Sequence, residues 1–340
     1  MNSMRWVLLP TMLIGCASPP SLEGREVVAM WVTRWNYHNA AEVRDVIANC
    51  ASAGVTDVLW QCRGEADAYY RSELEPVVPF DCDPLELAVR EAHARGMRIH
   101  AWLNAMPIWR GKEAPSAGSI AGRHPDWIVV GKDGKPQAPN DHYLCANPAS
   151  GAWVAHFVAV VRDVARYDVD GIHLDYIRYL EGDFSYDAET LRRFPAGGDW
   201  IEFKSGLVTE VVRKVREATR GKLLTAAVYP TAPRRRGVCQ DAERWVREGL
   251  VDAVFPMQYR EKNEDFEPMV KDARSCFGDK AFNGIGVTRH ATAERTAEQI
   301  AIVRASGAKG FALFSYDSFF RAELGPARVK MLREAVHANR

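Results

Sequence analysis

Short apolar runs alternate with amphipathic segments along almost the whole chain, and this alternation limits the fold more than any other feature. Eight runs qualify as β-strands, and they cover residues 27–33, 56–61, 98–104, 171–175, 223–229, 253–258, 282–287 and 310–315. Each run is nearly continuously apolar, as expected for strands of a parallel sheet that is covered on both faces. Helix stops such as Gly54 and Gly307 lead directly into the strands that follow them.

The segments between the strands carry helix signals. One helix face is formed by four residues at i, i+3, i+4 and i+7, namely Val43, Val46, Ile47 and Cys50. Asp83 stands directly before Pro84, which is typical of an N-cap followed by proline in the first helical turn. Further helices are predicted around residues 154–164, 208–215, 293–306 and 321–338.

Eight strand–helix units in a chain of 340 residues predict an α/β fold of the (β/α)8 TIM-barrel type. A doubly wound open sheet is the alternative, but no Gly-rich phosphate-binding turn follows the first strand. Long loops follow strands two, three and four, at residues 62–82, 105–147 and 176–199. They lie on the C-terminal face, where barrel active sites are built. We therefore expect one barrel domain, residues 26–340, with an elaborated mouth on that face.

The start of the chain has the features of an export signal. A positive segment at residues 1–5 precedes an apolar run at residues 6–14, which is too short to span a bilayer comfortably. The run ends in LIGC, which resembles a bacterial lipobox, in which the cysteine, here Cys16, becomes the lipidated N-terminus. An ordinary secretory signal or a chance apolar start are the alternatives. We predict a lipoprotein signal peptide at residues 1–16, a tether at residues 17–25, and an exported protein anchored to a bacterial membrane through Cys16.

Composition excludes some partners and cofactors. Lys and Arg number 44, as do Asp and Glu, so the formal net charge is zero. This balance argues against a general polyanion binder, and no nucleic-acid partner is predicted. The chain has no CxxC pair and no Cys/His spacing typical of a metal site, and the segment from His100 to Trp102 is not the His-x-His of a strand-borne zinc centre. Neither a metal nor another cofactor is predicted.

Polar and aromatic side chains collect where the predicted strands end. After strand four, a carboxylate, a guanidinium and two phenols follow within a few residues of His173, and such a cluster is costly to bury without partners. Aromatic rings can stack on sugar rings while amides, arginines and carboxylates hydrogen-bond hydroxyls, so the composition fits a carbohydrate site. The predicted substrate-binding residues are Arg34, Trp60, Gln61, Arg63, Asp67, His100, Trp102, Asn104, His173, Arg178, Tyr179, Tyr229, Gln258 and Tyr259.

Asp175 is the first candidate for a catalytic carboxyl, because the end of strand four would aim it rigidly into the mouth. The alternative is an aspartate that only pairs with Arg63 or Arg178 to fasten loops. Glycoside cleavage needs a second carboxyl that donates a proton, and Glu181, in the loop just beyond, is the first candidate. Other carboxyls expected on the same face are Glu65, Asp67, Asp183 and Asp317.

Several blocks of the sequence resemble the glycosyl hydrolase-like 10 family of barrel proteins. The blocks include WQCR at residues 60–63 with DAYY at 67–70, HAWLN at 100–104, HPDW at 124–127, YDVDGIHLDYIRY at 167–179 and FPMQY at 255–259. The resemblance covers about residues 26–320 and implies a barrel hydrolase acting on glycans, with Asp175 at the acidic strand-four position of the family. Family members include exported lipoproteins that cut peptidoglycan glycan strands stripped of their peptides.

The chain also departs from the family pattern. Many relatives carry Asp-Asp-Tyr where this chain has Asp175 and Tyr176, and many carry proline where it has Leu180 and Glu181. The leading hypothesis is a lipid-anchored glycoside hydrolase acting on a polysaccharide, with peptidoglycan glycan strands as one candidate substrate. A non-catalytic glycan-binding lipoprotein on a TIM-barrel scaffold and a metal-dependent hydrolase are the two alternatives.

Overall fold

The computed structural model of the protein describes residues 22, 24–180, 182–321 and 323–337, so Cys16 and Glu181 lie outside the described residues. The strands are β1 (Val27–Val32), β2 (Asp57–Arg63), β3 (Arg98–Asn104), β4 (Pro107–Gly111), β5 (Asn140–Cys145), β6 (Gly171–Asp175), β7 (Leu223–Val228), β8 (Ala253–Pro256), β9 (Asn283–Gly286) and β10 (Gly310–Phe314).

Helices follow the barrel strands. They are α1 (Ala40–Ser52), α2 (Pro84–His93), α3 (Ile120–Arg123), α4 (Gly151–Ala165), α5 (Ala188–Arg193), α6 (Trp200–Ala218), α7 (Ala232–Gly237), α8 (Ala242–Arg247), α9 (Asn263–Phe277), α10 (Ala293–Ala305), α11 (Tyr316–Phe319) and α12 (Gly325–His337). Asp83 caps α2, accepting hydrogen bonds from the Leu85 and Glu86 N–H groups at 3.1 Å each. In the described part of the chain, no helix is long and apolar enough to cross a membrane.

Eight strands form a parallel sheet in the order β8-β7-β6-β3-β2-β1-β10-β9. Two parallel bridges, Val254 to Ala281 and Met257 to Gly284, join its two edges, so the sheet is a nearly closed ring. The eight strands are those predicted from the sequence, and their ends differ from the prediction by at most two residues. The prediction of a (β/α)8 barrel is therefore confirmed.

The alternation of side chains along each strand builds two cores. In β1, Val27, Ala29 and Trp31 point into the barrel, whereas Val28, Met30 and Val32 join the shell between strands and helices. The interior cluster also includes Leu59, Trp102, Ala227, Ala253, Phe255, Phe282 and Ala312. Because every residue of β1 is buried on one side or the other, the strand reads as a continuous apolar run in the sequence.

Long loops follow the second, third and fourth barrel strands, as predicted, and one of them folds back on itself. Strands β4 and β5 pair antiparallel within the connection that follows β3. The connection after β2 is pinned by a parallel bridge between Ala68 and Val77, and the connection after β6 contains α5. These loops form the mouth, the face at the C-terminal ends of the barrel strands.

A fully buried ion pair fastens the loop after β2 to its neighbours. The guanidinium of Arg63 donates two hydrogen bonds of 2.8 Å to the two carboxylate oxygens of Glu75. A further Arg63 nitrogen contacts the carbonyl oxygens of Asn104, Ala105 (3.2 Å) and Pro107 (3.4 Å), and Glu75 lies 3.2 Å from His156 of α4. Arg63, predicted to bind substrate, therefore joins three segments inside the protein.

Glu75→Gln removes the charge that compensates Arg63 and keeps the size of the side chain. Removing one partner of a buried ion pair costs about 3–5 kcal/mol, because the other charge is left uncompensated. We expect the free energy of unfolding, measured by urea denaturation at pH 7, to fall by this amount. Asp141→Asn is the matched control, since its 3.0 Å pair with Lys112 is mostly exposed and worth about 1 kcal/mol or less. An equal loss in the two variants would contradict the assignment.

The contribution of Glu75 to the free energy of unfolding depends on pH. Burial raises the pKa of Glu75, but Arg63 and His156 outweigh it, and the net pKa lies below the ordinary value. A carboxyl with a lowered folded-state pKa stabilises the fold above its unfolded-state pKa and loses that contribution as the pH falls through the folded pKa. The stabilities of wild type and E75Q should therefore converge as the pH falls below the ordinary glutamate pKa of about 4.3.

Candidate active site

A cavity of about 280 Å³ opens at the mouth of the barrel. Its lining is largely aromatic, with a small number of polar groups that converge on the same space, as is usual for ligand sites. The lining residues are Trp31, Thr33, Arg34, Trp35, Gln61, Trp102, Asn104, Tyr143, Asp175, Tyr176, Arg178, Ala227, Met257, Tyr259 and Phe314.

Asp175 is the last residue of β6 and lies beside Asn104 of β3 in the sheet register. Its Oδ1 accepts a 2.6 Å hydrogen bond from the backbone N–H of Tyr176 and a 3.0 Å bond from the guanidinium of Arg178. Tyr176 has a left-handed backbone (φ +49°), which is uncommon for a bulky residue and turns the chain immediately after the strand. The carboxylate is thus only 6% exposed and is held in one orientation by its own neighbours.

Arg178 has three partners, one carboxylate and two aromatic rings. Besides the carboxylate, its guanidinium lies over the rings of Tyr176 (4.4 Å) and Tyr229 (4.9 Å). Burial opposes the charged form, but the Asp175 carboxylate more than compensates, and the pKa of Arg178 is raised. The cation is therefore permanent, and it fixes the charge balance around Asp175.

A second arginine, Arg34, follows β1 and is 3% exposed. Its backbone N–H (3.1 Å) and its guanidinium (3.2 Å) both donate to Oε1 of Gln61 on β2. The guanidinium also contacts the Glu65 carboxylate and lies 3.9 Å from Asp67. A Cβ on Gly64 would lie 2.3 Å from the Arg34 guanidinium carbon, so only glycine at this position leaves room for it.

Polar side chains of β2 and β3 lie next to Arg34 and form, with it, a polar wall of the cavity. The Gln61 amide lies 3.4 Å from Oδ1 of Asn104, which also accepts a 3.0 Å hydrogen bond from the Trp102 indole. Arg34, Gln61 and Asn104 therefore form one chain of hydrogen-bonding groups across three adjacent strands, and they can offer donors and acceptors to hydroxyl groups in the cavity.

Two acids share the environment of Arg34. Burial, and then the Asp67 carboxylate, raise the pKa of Glu65 to about 7, while Arg34, Arg110 and Arg63 act in the opposite direction. Asp67 has a structural use, since its Oδ1 accepts from the N–H groups of Gly64 (2.8 Å) and Glu65 (2.7 Å). Glu65 can therefore carry a proton at neutral pH.

Seven of the predicted site residues line the cavity. They are Arg34, Gln61, Trp102, Asn104, Asp175, Arg178 and Tyr259. Asp67 lies behind the wall beside Arg34, and Tyr229 is a half-buried residue that stacks on Arg178 at the edge of the site. Glu181 lies outside the described residues.

Two other predicted residues belong to the barrel interior below the cavity. His100 lies 3.1 Å from the buried Asp57, and His173 lies between the Trp31 indole (3.1 Å) and the Thr225 hydroxyl (2.9 Å). Burial lowers the pKa of His173 well below its ordinary value, so its ring is neutral and accepts the indole hydrogen bond. Both histidines thus satisfy interior hydrogen bonds and do not reach the cavity.

The remaining predicted residues face other parts of the protein. Trp60 points outward from β2 and stacks on Tyr37 at 4.1 Å, because the alternation of the strand sends Gln61 inward instead. The Tyr179 hydroxyl accepts from Ser185 at 2.7 Å. The Gln258 amide donates to the Met269 carbonyl at 2.8 Å, and the partners of Arg63 are described above.

The structure adds residues that the sequence prediction did not include. Tyr143 comes from β5, and the hairpin carries it to the cavity, where its ring packs 5.0 Å from Tyr176. Trp35 is 39% exposed at the rim, next to the predicted Arg34. Its position directly after a strand-end arginine is a signal that sequence reasoning could have used. In the sequence, Tyr143 is far from any strand of the barrel, and its place in the cavity depends on the pairing of β4 with β5.

The acidic, histidine and cysteine side chains do not gather into a metal cluster in the part of the chain that the structure describes. Among the described residues, no group of three or more His, Cys, Asp or Glu side chains could hold a metal ion. The charged groups of the cavity are instead paired with each other, as Asp175 is with Arg178.

Two solved glycosidase structures share this fold. The α-L-fucosidase isoenzyme 2 of Paenibacillus thiaminolyticus superposes with a TM-score of 0.64 at 14% identity, over 92% of this chain and 49% of that chain. An α-galactosidase of Thermus thermophilus in complex with stachyose gives a TM-score of 0.56 at 14% identity, over 92% of this chain and 66% of that one. At these identities the likeness concerns the fold.

Curated relatives share more of the sequence. Glycosyl hydrolase DigH of Escherichia coli strain K12 is 25% identical over 257 residues, covering 63% of this chain and 57% of the relative. Glycosyl hydrolase YngK of Bacillus subtilis strain 168 is 21% identical over 287 residues, covering 69% and 54% respectively. The chain thus spans just over half the length of these relatives. The family model described as "Glycosyl hydrolase-like 10" matches residues 25–279, which is most of the chain. The resemblance seen in the sequence is confirmed, and the chain belongs to the glycosyl hydrolase-like 10 family.

Proposed function

We propose that the protein is a glycoside hydrolase that cleaves a polysaccharide by two-carboxyl acid/base chemistry. The observation that carries the proposal is Asp175, a buried carboxylate held at the end of a barrel strand in a cavity with aromatic walls. Catalytic residues of TIM-barrel enzymes come from strand ends on this face. Membership of a glycosyl hydrolase-like family supports the same reaction class.

Asp175 acts as the nucleophile or as the general base in this proposal. Both of its hydrogen bonds described above use Oδ1, which fixes the plane of the carboxylate. We therefore expect Oδ2 to face either the anomeric carbon or the attacking water. A second carboxyl at the mouth protonates the leaving oxygen, and the sequence offers Glu181 as one candidate. A separation of about 5–5.5 Å between the two carboxyls would give retention, and about 6.5–9.5 Å inversion.

The walls of the cavity supply sugar recognition. Trp35, Trp102 and Tyr143 offer ring faces or edges to the apolar side of a pyranose, and Arg34, Gln61 and Asn104 offer hydrogen bonds to its hydroxyls. As substrate we propose peptidoglycan glycan strands stripped of their peptides, because the family includes exported lipoproteins that cut them. The same reasoning, with the lipobox-like segment at Cys16, leads us to propose an exported protein anchored to the membrane by lipid.

Asp175→Asn keeps the size of the side chain but removes the negative charge that would attack the anomeric carbon or take a proton from the attacking water. We expect turnover, measured as reducing ends released from peptidoglycan glycan strands stripped of peptides, to fall about 10²–10⁴-fold. Binding of the same strands, measured by calorimetry, should remain within a few-fold of wild type. Thermal unfolding of the variant checks that Arg178, left without its carboxylate, has not disrupted the fold.

Asp183→Asn is the matched control for this experiment. Asp183 lies in the loop after the same strand, is exposed, and accepts hydrogen bonds of 2.8 Å from the Tyr186 hydroxyl, so its loss should leave turnover unchanged. Full turnover by D175N would contradict the catalytic assignment. Binding without turnover by the wild type would favour the non-catalytic glycan-binding barrel. Loss of wild-type turnover in excess EDTA would favour the metal-dependent hydrolase.

Trp35→Ala tests the aromatic rim. Because the ring is partly exposed at the cavity, its removal should weaken substrate binding while leaving the carboxyls in place. A loss of about 1.4 kcal/mol corresponds to a tenfold rise in KM, and kcat should stay within about threefold. Val77→Ala is the control, since Val77 is equally apolar and 47% exposed but does not line the cavity. Unchanged KM in W35A would remove Trp35 from the substrate site.

Cys16→Ser tests the proposed anchor. The wild-type protein, expressed from its full sequence in a Gram-negative host, should sediment with membranes and incorporate a palmitate analogue. The C16S variant should lose the label and the membrane association, because serine cannot accept the thioether-linked lipid. A labelled C16S variant, or an unlabelled wild type, would contradict the proposal.

A further inference from the structure

Glu65 lies in the loop after β2 and contacts Arg34, one of the residues that line the cavity. We propose that Glu65 is the proton-donating carboxyl of this site, a role that rests on the glycoside hydrolysis proposed above. Its carboxylate contacts the guanidinium of Arg34, which itself lines the cavity. Sequence reasoning placed Glu65 on this face as one of several acids, with Glu181 preferred.

The topology brings the two carboxyls to neighbouring parts of the mouth. Strand β2, which leads into Glu65, and β6, which ends in Asp175, both pair with β3. Neighbouring strands lie about 4.8 Å apart, so the ends of β2 and β6, on either side of β3, are roughly 10 Å apart, and Glu65 follows the end of β2 by two residues. Two carboxyls that flank a scissile glycosidic bond are separated by about 5–9.5 Å.

The backbone is shaped in the same way at both carboxyls. Among the residues that the structure describes, four that are not glycine have a positive φ, and two of them directly follow the proposed pair: Ala66 (φ +61°) after Glu65 and Tyr176 (φ +49°) after Asp175. Such conformations persist where the surroundings impose them, and they cluster at functional sites. The Glu65 N–H also donates to Asp67, so the loop presents Glu65 in a fixed position.

Burial and one neighbouring carboxylate favour a protonated Glu65. Burial and the Asp67 carboxylate raise the pKa of Glu65 to about 7 against the opposing effect of Arg34, Arg110 and Arg63. The phenols of Tyr69 and Tyr143 complete its charged and titratable surroundings. A general acid must be protonated near the working pH, and a pKa close to 7 gives both that state and a ready proton transfer.

The proton movements balance without any co-reactant besides water. The glycosidic C–O bond breaks with its electron pair going to the leaving oxygen, which takes the proton of Glu65. Water then supplies the new hydroxyl at the anomeric carbon, directly or after an ester with Asp175, and its second proton returns the site to its starting state.

Other carboxyls at the mouth have different uses. Asp67 holds the backbone of its own loop, as described above. Asp183 and Asp317 are exposed, and they accept hydrogen bonds from the hydroxyls of Tyr186 and Ser315 respectively. Glu65 contacts the cavity-lining Arg34 and is 22% exposed, and among the described residues its carboxylate, unlike that of Asp67, accepts no hydrogen bond from a backbone N–H group.

The decisive experiment compares Glu65→Gln with Glu181→Gln on peptidoglycan glycan strands stripped of peptides, measured as reducing ends from pH 4 to 9. E65Q should lower kcat/KM about 10²–10⁴-fold and abolish its decline on the alkaline side, and D183N, at an exposed loop carboxyl, is the control that keeps the wild-type profile. A wild-type profile in E65Q, or a complete loss in E181Q alone, would overturn the inference while leaving the proposed function standing. Absence of turnover by wild type would overturn the function and this role together.

Two further variants separate a proton donor from a carboxyl that only fastens Arg34. Asp67→Asn keeps the oxygen that accepts the backbone hydrogen bonds but removes a charge that raises the pKa of Glu65, so the alkaline limb of kcat/KM should move to lower pH. Arg110→Met, at an exposed position on β4, removes a charge that lowers this pKa, so the limb should move to higher pH. These opposite shifts also test the inference if E65Q fails to fold, and a limb that moves in neither variant would overturn it.

Discussion

Buried guanidinium groups must be paired, and this constraint shapes the whole mouth of the barrel. Arg34, Arg63 and Arg178 are all nearly inaccessible to solvent, and an unpaired charge at such a position would be strongly destabilising. Each meets a carboxylate: Arg34 meets Glu65, Arg63 meets Glu75 and Arg178 meets Asp175. Because the first two pairs tie a loop to a strand end or to another loop, the charges determine where the loops after β1, β2 and β3 can lie.

The number of acids at each arginine decides what the acids can do. Arg63 and Glu75 are matched one to one and fully buried, so this pair can only hold the loop after β2 in place. Arg178 and Asp175 are also matched, but they line the cavity, so the carboxylate lies within reach of a ligand. Arg34 has two partly buried acids near it, and one cation cannot compensate two neighbouring carboxylates equally. Glu65 is not engaged by backbone N–H groups of the described residues, and burial together with the Asp67 carboxylate raises its pKa.

The barrel could be predicted because every strand is buried on both faces, so that apolarity along the chain marks each strand directly. The site could be predicted only in part. A predicted strand end indicates which end of the barrel a residue is near, but not whether its side chain points inward. Gln61 points inward and lines the cavity, whereas its neighbour Trp60 points outward and stacks on Tyr37. Depth along the strand matters as well, since His100 faces inward but pairs with Asp57 far below the mouth. Tyr143 depends on the long-range pairing of β4 with β5, which no local pattern encodes.

The backbone after each of the two proposed catalytic carboxyls explains why such a site belongs on this fold. A left-handed residue that is not glycine is unfavourable in isolation, and Ala66 and Tyr176 adopt this conformation because their surroundings are already fixed. Asp67 accepts a hydrogen bond from the backbone N–H of Glu65, and Arg178 donates one to the carboxylate of Asp175. Each of these partners lies within three residues of the acid that it orients. The barrel supplies the rigid ends of β2 and β6, about 10 Å apart. Short-range interactions then fix the backbone of Glu65, two residues after β2, and the carboxylate of Asp175, at the end of β6. Local sequence around each strand end can therefore change the chemistry of the mouth without altering the barrel beneath it.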